Sequence, residues 1–204
     1  NTGITTDTGV SHWADQVTGS TKRWSNATGG KQPAFDSTTK GVDFDGSNDI
    51  LSGDQLTIDG AFTIGVKLRV DDADASNDVV TGDSTAGVTN SWIRINNASQ
   101  LGFKTSGSAK TIATSTSFED GDTVSLVVER DASDLLQAYI NGALDDTSIT
   151  SAGNLLLDSL GARGGSSVPT NYFSGQIYEF VVLESQSPEL SKLLSEHLMS
   201  IKIE

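Results

Sequence analysis

The feature that most constrains this chain is an apolar residue at every second position, recurring over short stretches. In 61–70, Phe62, Ile64, Val66, Leu68 and Val70 fall on one side, while Thr63, Lys67 and Arg69 fall on the other. Successive side chains of an extended strand point to opposite faces, so this spacing describes a strand with one face in a core. Val124, Leu126 and Val128 repeat it over 123–130. The stretch 136–140 runs into Asn141-Gly142, the dipeptide that best tolerates the two positive φ angles of a type I′ hairpin turn, which predicts a partner strand over 143–148. Shorter strands are expected at 41–44, 55–58, 79–81, 91–96, 100–105, 110–114 and 155–158, and a long one over 172–183.

The strands arrive about every 8–14 residues, separated by Gly, Asn, Asp and Ser clusters, and no helical crossover is available before the end of the chain. That disfavours a parallel βαβ sheet. It predicts an all-β fold, an antiparallel two-sheet β-sandwich of jelly-roll type, as one domain over 1–204. A single C-terminal α-helix over about 188–202 is announced by Ser187-Pro188-Glu189, which offers an N-cap, a proline at the first helical position and an acid beside the positive end of the dipole. Leu190, Leu193, Leu194, His197, Leu198 and Ile201 are expected to face the sandwich, with Lys192, Ser195 and Glu196 in water.

Composition narrows the function classes. The formal charge is −14, from 27 acidic and 13 basic residues. Such a surface repels phosphate backbones and anionic headgroups, so neither nucleic acid nor a membrane is an expected partner. With no cysteine, disulfides, thiolate metal sites and cysteine nucleophiles are excluded. The longest run of large apolar residues, Phe180 to Leu183, is far below the roughly 20 residues that span a bilayer. The opening Asn1-Thr-Gly-Ile has neither a basic start nor an apolar stretch, so it does not read as a signal peptide.

Several phrases then occur in a fixed order: Thr8-Gly-Val-Ser-His-Trp13-Ala-Asp15, Lys31-Gln-Pro-Ala-Phe-Asp36, Val42-Asp-Phe-Asp45-Gly46-Ser-Asn-Asp49-Ile-Leu-Ser52, Tyr139-Ile-Asn141-Gly142, Leu160-Gly-Ala-Arg-Gly164 and Tyr172-Phe-Ser-Gly175-Gln-Ile-Tyr-Glu-Phe180. Together with the closing helix they resemble the laminin-G-like, concanavalin-A-like jelly rolls of bacterial surface proteins and phage structural proteins. The resemblance implies a packing role for Trp13. It also implies an apolar strand ahead of the Trp-x-Asp phrase, where this chain has only a short segment poor in apolar side chains. That strand is therefore expected to be absent, or its edge completed by another segment or subunit.

The fold hosts lectins, glycan-binding modules, glycosidases and structural modules, so candidate sites must be weighed residue by residue. Glycosidases need two opposed carboxylates, and the resembling glucanases carry them as Glu-x-Asp-x-Glu. The nearest approach here, Glu129-Arg-Asp131, lacks the third acid and reads as a solvated pair. His12 and His197 have no nucleophile motif beside them. No catalytic residue is assigned.

For calcium, Asp72, Asp74, Asp78 and Asp83 partly copy the alternating oxygen ligands of a calcium loop, although Asn77 stands where that loop needs glycine. Asp43, Asp45 and Asp49 read as turn chemistry. For sugars, Trp24 in a polar loop, Trp92 with Arg94 on one strand face, and Tyr172 after a Gly/Ser loop supply aromatic platforms and hydrogen-bonding groups.

The resulting expectation is a non-catalytic surface module on a virion, of capsid-decoration or fibre type, located at the virion surface or otherwise extracellular. It would work through other virion or surface proteins, further copies of itself, and weak glycan adhesion. The alternative is a secreted carbohydrate-binding module or, behind that, a glycoside hydrolase. No cofactor is required; calcium is the candidate ion, and zinc is not expected with no Cys and only two distant His.

Overall fold

The computed structural model of the chain describes residues 3–73, 78–84, 91–97, 100–106, 108–114, 117–145, 148–164 and 169–203. It opens with short strands β1 (Ile4–Thr6), β2 (Val10–Ala14), β3 (Arg23–Ser25) and β4 (Ala34–Phe35). Then follow β5 (Val42–Asp45), β6 (Leu51–Ile58), β7 (Phe62–Val70), β8 (Asp78–Gly82), β9 (Trp92–Asn97), β10 (Gln100–Lys104) and β11 (Ala109–Ala113). The last strands are β12 (Thr123–Arg130), β13 (Leu135–Ile140), β14 (Ala143–Leu144), β15 (Ile149–Thr150), β16 (Leu155–Leu160) and β17 (Ser174–Leu183), before helix α1 (Pro188–Ser200).

Among the described residues the strands make two sheets. One runs β1-β2-β3-β6-β16-β8-β9-β10-β11, and the other β14-β13-β12-β7-β17-β5-β4 with β15 also on β13. All strand pairs in both are antiparallel. The alternation in β7 and β12 places them in register, with Val66 opposite Leu126 and Ile64 opposite Val128. These side chains meet Leu51, Ile95, Leu101, Phe103, Ile112 and Leu157 of the other sheet in one core cluster. Phe62 stacks on Phe103 across the layers at 5.9 Å between centroids. Each such fully buried side chain contributes about 1.5–3 kcal/mol over its exposed state.

The Asn141-Gly142 turn has the two positive φ angles, 50° and 86°, that the hairpin needs. Its partner strand is shorter than expected: β14 spans two residues, β15 pairs with the start of β13, and 146–147 lie outside the described residues.

Helix α1 starts where its capping residues place it, with the Ser187 hydroxyl accepting from the Leu190 N–H at 3.1 Å. Its buried face is rotated from the expected one. Ser191, Leu194, Ser195 and Leu198 are buried, whereas Leu193 is 62% exposed and His197 lies outside, paired with Glu179 at 2.7 Å. Two features of the sheet beneath explain this. Gly65 lets the helix approach, since a Cβ there would stand 2.7 Å from Leu194 Cδ2 and 2.9 Å from Leu198 Cδ1. Buried Glu129 accepts a hydrogen bond from the Ser191 hydroxyl. A small hydroxyl therefore faces the sheet where a leucine would clash. The helix covers the outer face of β7, β12 and β13.

Candidate functional site

With α1 on one outer face, the sandwich has a second outer face, that of the nine-stranded sheet. Alternation in β9 sends Ile93 and Ile95 into the core and Trp92 and Arg94 to this outer side. In register, Lys104 of β10 lies opposite Trp92 and Gly102 opposite Arg94. The Arg94 guanidinium sits 4.0 Å from the Trp92 ring centroid. Trp92 is only 3% exposed, so it backs the arginine and does not offer a bare ring to a sugar.

A third cation arrives from the segment after β16. Gly82 pairs with Trp92, and a Cβ at Gly82 would stand 3.1 Å from Arg163 Cβ and 3.4 Å from Trp92 Cβ. The glycine thus allows Arg163 to close beside the tryptophan. Arg163 Nε donates to Asn171 Oδ1 at 2.8 Å, and the backbones of Arg163 and Thr170 bond to each other in both directions. Tyr172 follows and bridges to Val79, whose other neighbour is Arg94, so Tyr172 and Arg94 are two strand spacings, about 10 Å, apart.

Burial lowers the affinity of Arg94 and Lys104 for their protons, and the nearby Arg163 charge adds to this in both. Burial alone does the same to Arg163. The Arg163 charge thus opposes those of Arg94 and Lys104, and the three half-buried cations share this face with Asn171 and Tyr172. Lys104, Arg163 and Asn171 were not singled out by sequence; the available signal was the scarcity of basic residues in a chain with charge −14.

Trp24 does not join them. It is not in an exposed loop but in β3, opposite Trp13, and is half-buried against the core with its ring edge-on to Phe180 at 6.2 Å. Both tryptophans line a groove of about 720 Å³ between the two sheets, together with Leu56, Phe180 and Val182. Trp13 itself is a core residue, 8% exposed.

The acidic candidates are dispersed. Asp72 is exposed, and Asp74 lies outside the described residues. Asp78 and Asp83 are both buried, but Asp78 opens β8 and Asp83 follows its last residue, Gly82. That separation is about 16 Å along a strand, too far for one ion whose oxygen ligands lie at about 2.3–2.6 Å. Asp78 accepts from the Ser174 N–H at 3.3 Å, and burial pushes its carboxyl up to about 7. Asp83 accepts from Gln55 at 3.3 Å. Among the described residues no group of three or more His, Asp or Glu is placed to hold a metal ion.

Asp45 serves its turn, accepting from the N–H groups of Ser47 at 2.8 Å and Asn48 at 3.0 Å, while Asp49 Oδ2 accepts from the Asp45 N–H at 3.0 Å. Glu129 is sealed beneath α1, and Asp131 caps the next turn through the N–H groups of Ser133 and Leu135. Neither faces a cleft.

The sequence of residues 36–186 matches the profile of the concanavalin A-like lectin/glucanases superfamily, laminin G type. No curated protein matches the chain. Among solved structures, the native heptameric SAP-like pentraxin of Limulus polyphemus is similar with a TM-score of 0.58 and 11% identity, over 75% of this chain and 78% of that one. The CBM40 of the Ruminococcus gnavus IT-sialidase bound to α2,3-sialyllactose is similar with a TM-score of 0.55 and 14% identity, over 68% and 83%. The NanB sialidase of Streptococcus pneumoniae is similar with a TM-score of 0.53 and 13% identity over 72% of this chain, which spans about a quarter (26%) of that enzyme. The chain therefore belongs to the laminin G family of the concanavalin A-like lectin/glucanases superfamily.

Proposed function

We propose that this protein is a non-catalytic, lectin-like binding module that takes an acidic glycan on the outer face of its nine-stranded sheet. The observation that carries the reading is the gathering of Arg94, Lys104 and Arg163 around Trp92, in a chain with only 13 basic residues against 27 acidic ones. In a molecule of charge −14, long-range attraction does not bring an anion to the surface. A local pocket of cations must do it, and it selects ligands whose charge sits close to hydrogen-bonding hydroxyls. A sugar carboxylate or sulfate with flanking hydroxyls has that chemistry, with the guanidinium groups as forks for the acid and Asn171 and Tyr172 as partners for the hydroxyls. The CBM40 bound to sialyllactose supports the reading as a relative in fold whose ligand is an acidic glycan.

The test is calorimetric titration with α2,3-sialyllactose beside lactose. Binding of the acidic sugar alone, lost in Arg163→Ala, is expected. Equal binding of both, or of neither, would overturn the proposal.

A second reading, assembly as a surface module of a virion or cell, is favoured by a separate observation: from Tyr178 to Leu183 one edge of β17 has no pairing strand among the described residues.

A further inference from the structure

Strand β17 is flanked unequally. On one side it pairs with β7 from Gly175 to Leu183, but on the other it pairs with β5 only from Ser174 to Ile177. From Tyr178 to Leu183, among the described residues, no strand bonds to that second edge. The interlayer groove lies along this edge, lined by every residue from Tyr178 to Glu184. A groove over a sheet face would touch alternate residues. Contact with seven in succession fits a groove that runs beside the backbone.

The groove also opens the interior. Phe180 and Val182 pack toward the core yet are only partly covered, as are Trp24 and Leu56 opposite. Inward-facing apolar side chains under an open edge are the two halves of a vacant strand position: backbone donors and acceptors in a row, and a hydrophobic floor for alternate side chains.

We infer that this groove is a docking site for one extended strand of another polypeptide, added to the Tyr178–Leu183 edge of β17 with apolar residues at alternate positions and basic residues between them. The six-residue edge accommodates about 20 Å of extended chain. Its inward side chains would fill the space between Trp13, Trp24, Phe180 and Val182. The groove carries Asp15, Asp54, Glu179 and Glu184 against only Lys22 and Arg23, an acidic rim that the basic residues of the strand would offset. That rim and the charge of −14 disfavour a second copy of this chain as the donor. The proposal is independent of the glycan site, which lies on the opposite face of the other sheet.

The experiment uses the intact chain and an eight-residue peptide alternating valine with lysine, read by hydrogen exchange of the backbone amides. Binding is expected to slow exchange of edge amides within Tyr178–Leu183 about tenfold or more at saturation, because an added strand protects the groups it bonds. Proline in place of both residues of the central valine–lysine pair is expected to abolish this, since one of the two donates to the β17 edge whichever way the strand runs. A valine–glutamate peptide is expected to fail on charge.

A second arm tethers the valine–lysine strand through a Gly/Ser linker ahead of Asn1. The Gly3 carbonyl bonds to the Ala14 N–H at the groove mouth, so the tether raises the effective concentration. Protection of the same amides and a rise in Tm of several degrees are expected. If neither free nor tethered strand protects these amides, if the proline peptide protects them equally, or if an oligosaccharide protects them where peptides do not, the proposal is wrong.

Discussion

Asp78→Asn is the perturbation whose outcome the geometry fixes most sharply. Asp78 is 5% exposed at the start of β8, and its partner in the structure is the Ser174 N–H at 3.3 Å. Burial, reinforced by the charge of Asp72, pushes its carboxyl up to about 7 from an ordinary 3.8. In the folded state the group therefore holds its proton over a range in which the unfolded chain has released it. Where the native state binds more protons, stability falls as pH rises. The contribution of Asp78 is complete below about pH 4 and is lost progressively up to about pH 7.

A difference of about three pKa units at 1.36 kcal/mol each sets a ceiling near 4 kcal/mol for the cost of the ionised form. Asparagine keeps an oxygen for the Ser174 N–H and carries no charge. At pH 8 in chelator, Asp78→Asn is expected to stabilise the protein by about 2–4 kcal/mol, raising Tm by roughly 5–10 °C, and to change it little at pH 4.5. Urea melts and calorimetry at the two pH values measure this. A variant less stable than the parent at pH 8, or an equal effect at both pH values, refutes the reasoning. So does a calcium-dependent rise in Tm of the parent that vanishes in the variant, because it would place an ionised Asp78 at a metal.

Three further outcomes follow from named contacts. Gly65→Ala forces a Cβ to within 2.7 Å of Leu194 and should lift α1 at a cost of about 1–3 kcal/mol, read as a lower urea midpoint with faster exchange of the helix amides. Arg130→Met should cost about 3 kcal/mol or more. The buried guanidinium, 1% exposed, donates to the carbonyls of Gly60, Ser151 and Gly153, and methionine would leave them without those donors. Glu179→Gln removes the charged partner of His197, an exposed pair, and should change Tm by less than about 2 °C at pH 6, since surface pairs contribute little.

What could be read in advance followed the range of the interaction. Strands β7, β12 and β16, the Asn141-Gly142 turn and the start of α1 are set by spacing and by neighbours a few residues away, and the chain states them openly. Strands β1, β3 and β4 are two or three residues long with few apolar positions, so no period can be counted in them. Trp24 looked exposed because Lys22, Arg23, Ser25 and Asn26 surround it in sequence, but Phe180, distant in the chain, covers one edge of its ring. The face of α1 was misjudged because Ser191 and Ser195 are polar. Only the sheet beneath, with Gly65 and buried Glu129, makes a small hydroxyl the better fit there.

The proposed binding face was half legible. Alternation in β9 put Trp92 and Arg94 together, while Arg163 reaches them across Gly82, a contact without local signal. The acidic loop at 72–83 reads as a ligand series only until a strand is laid through it, which carries Asp78 and Asp83 apart.

Arg163 is the centre of the proposed acidic-glycan site. Nuclear magnetic resonance titration of the labelled protein with α2,3-sialyllactose tests it directly, with Arg163→Ala as the paired sample. Saturable shifts confined to signals of Trp92, Arg94, Lys104, Asn171 and Tyr172, absent in Arg163→Ala and weakened by salt, are predicted. Shifts clustered instead at Trp24 and Phe180, or an unchanged affinity in the variant, would contradict it.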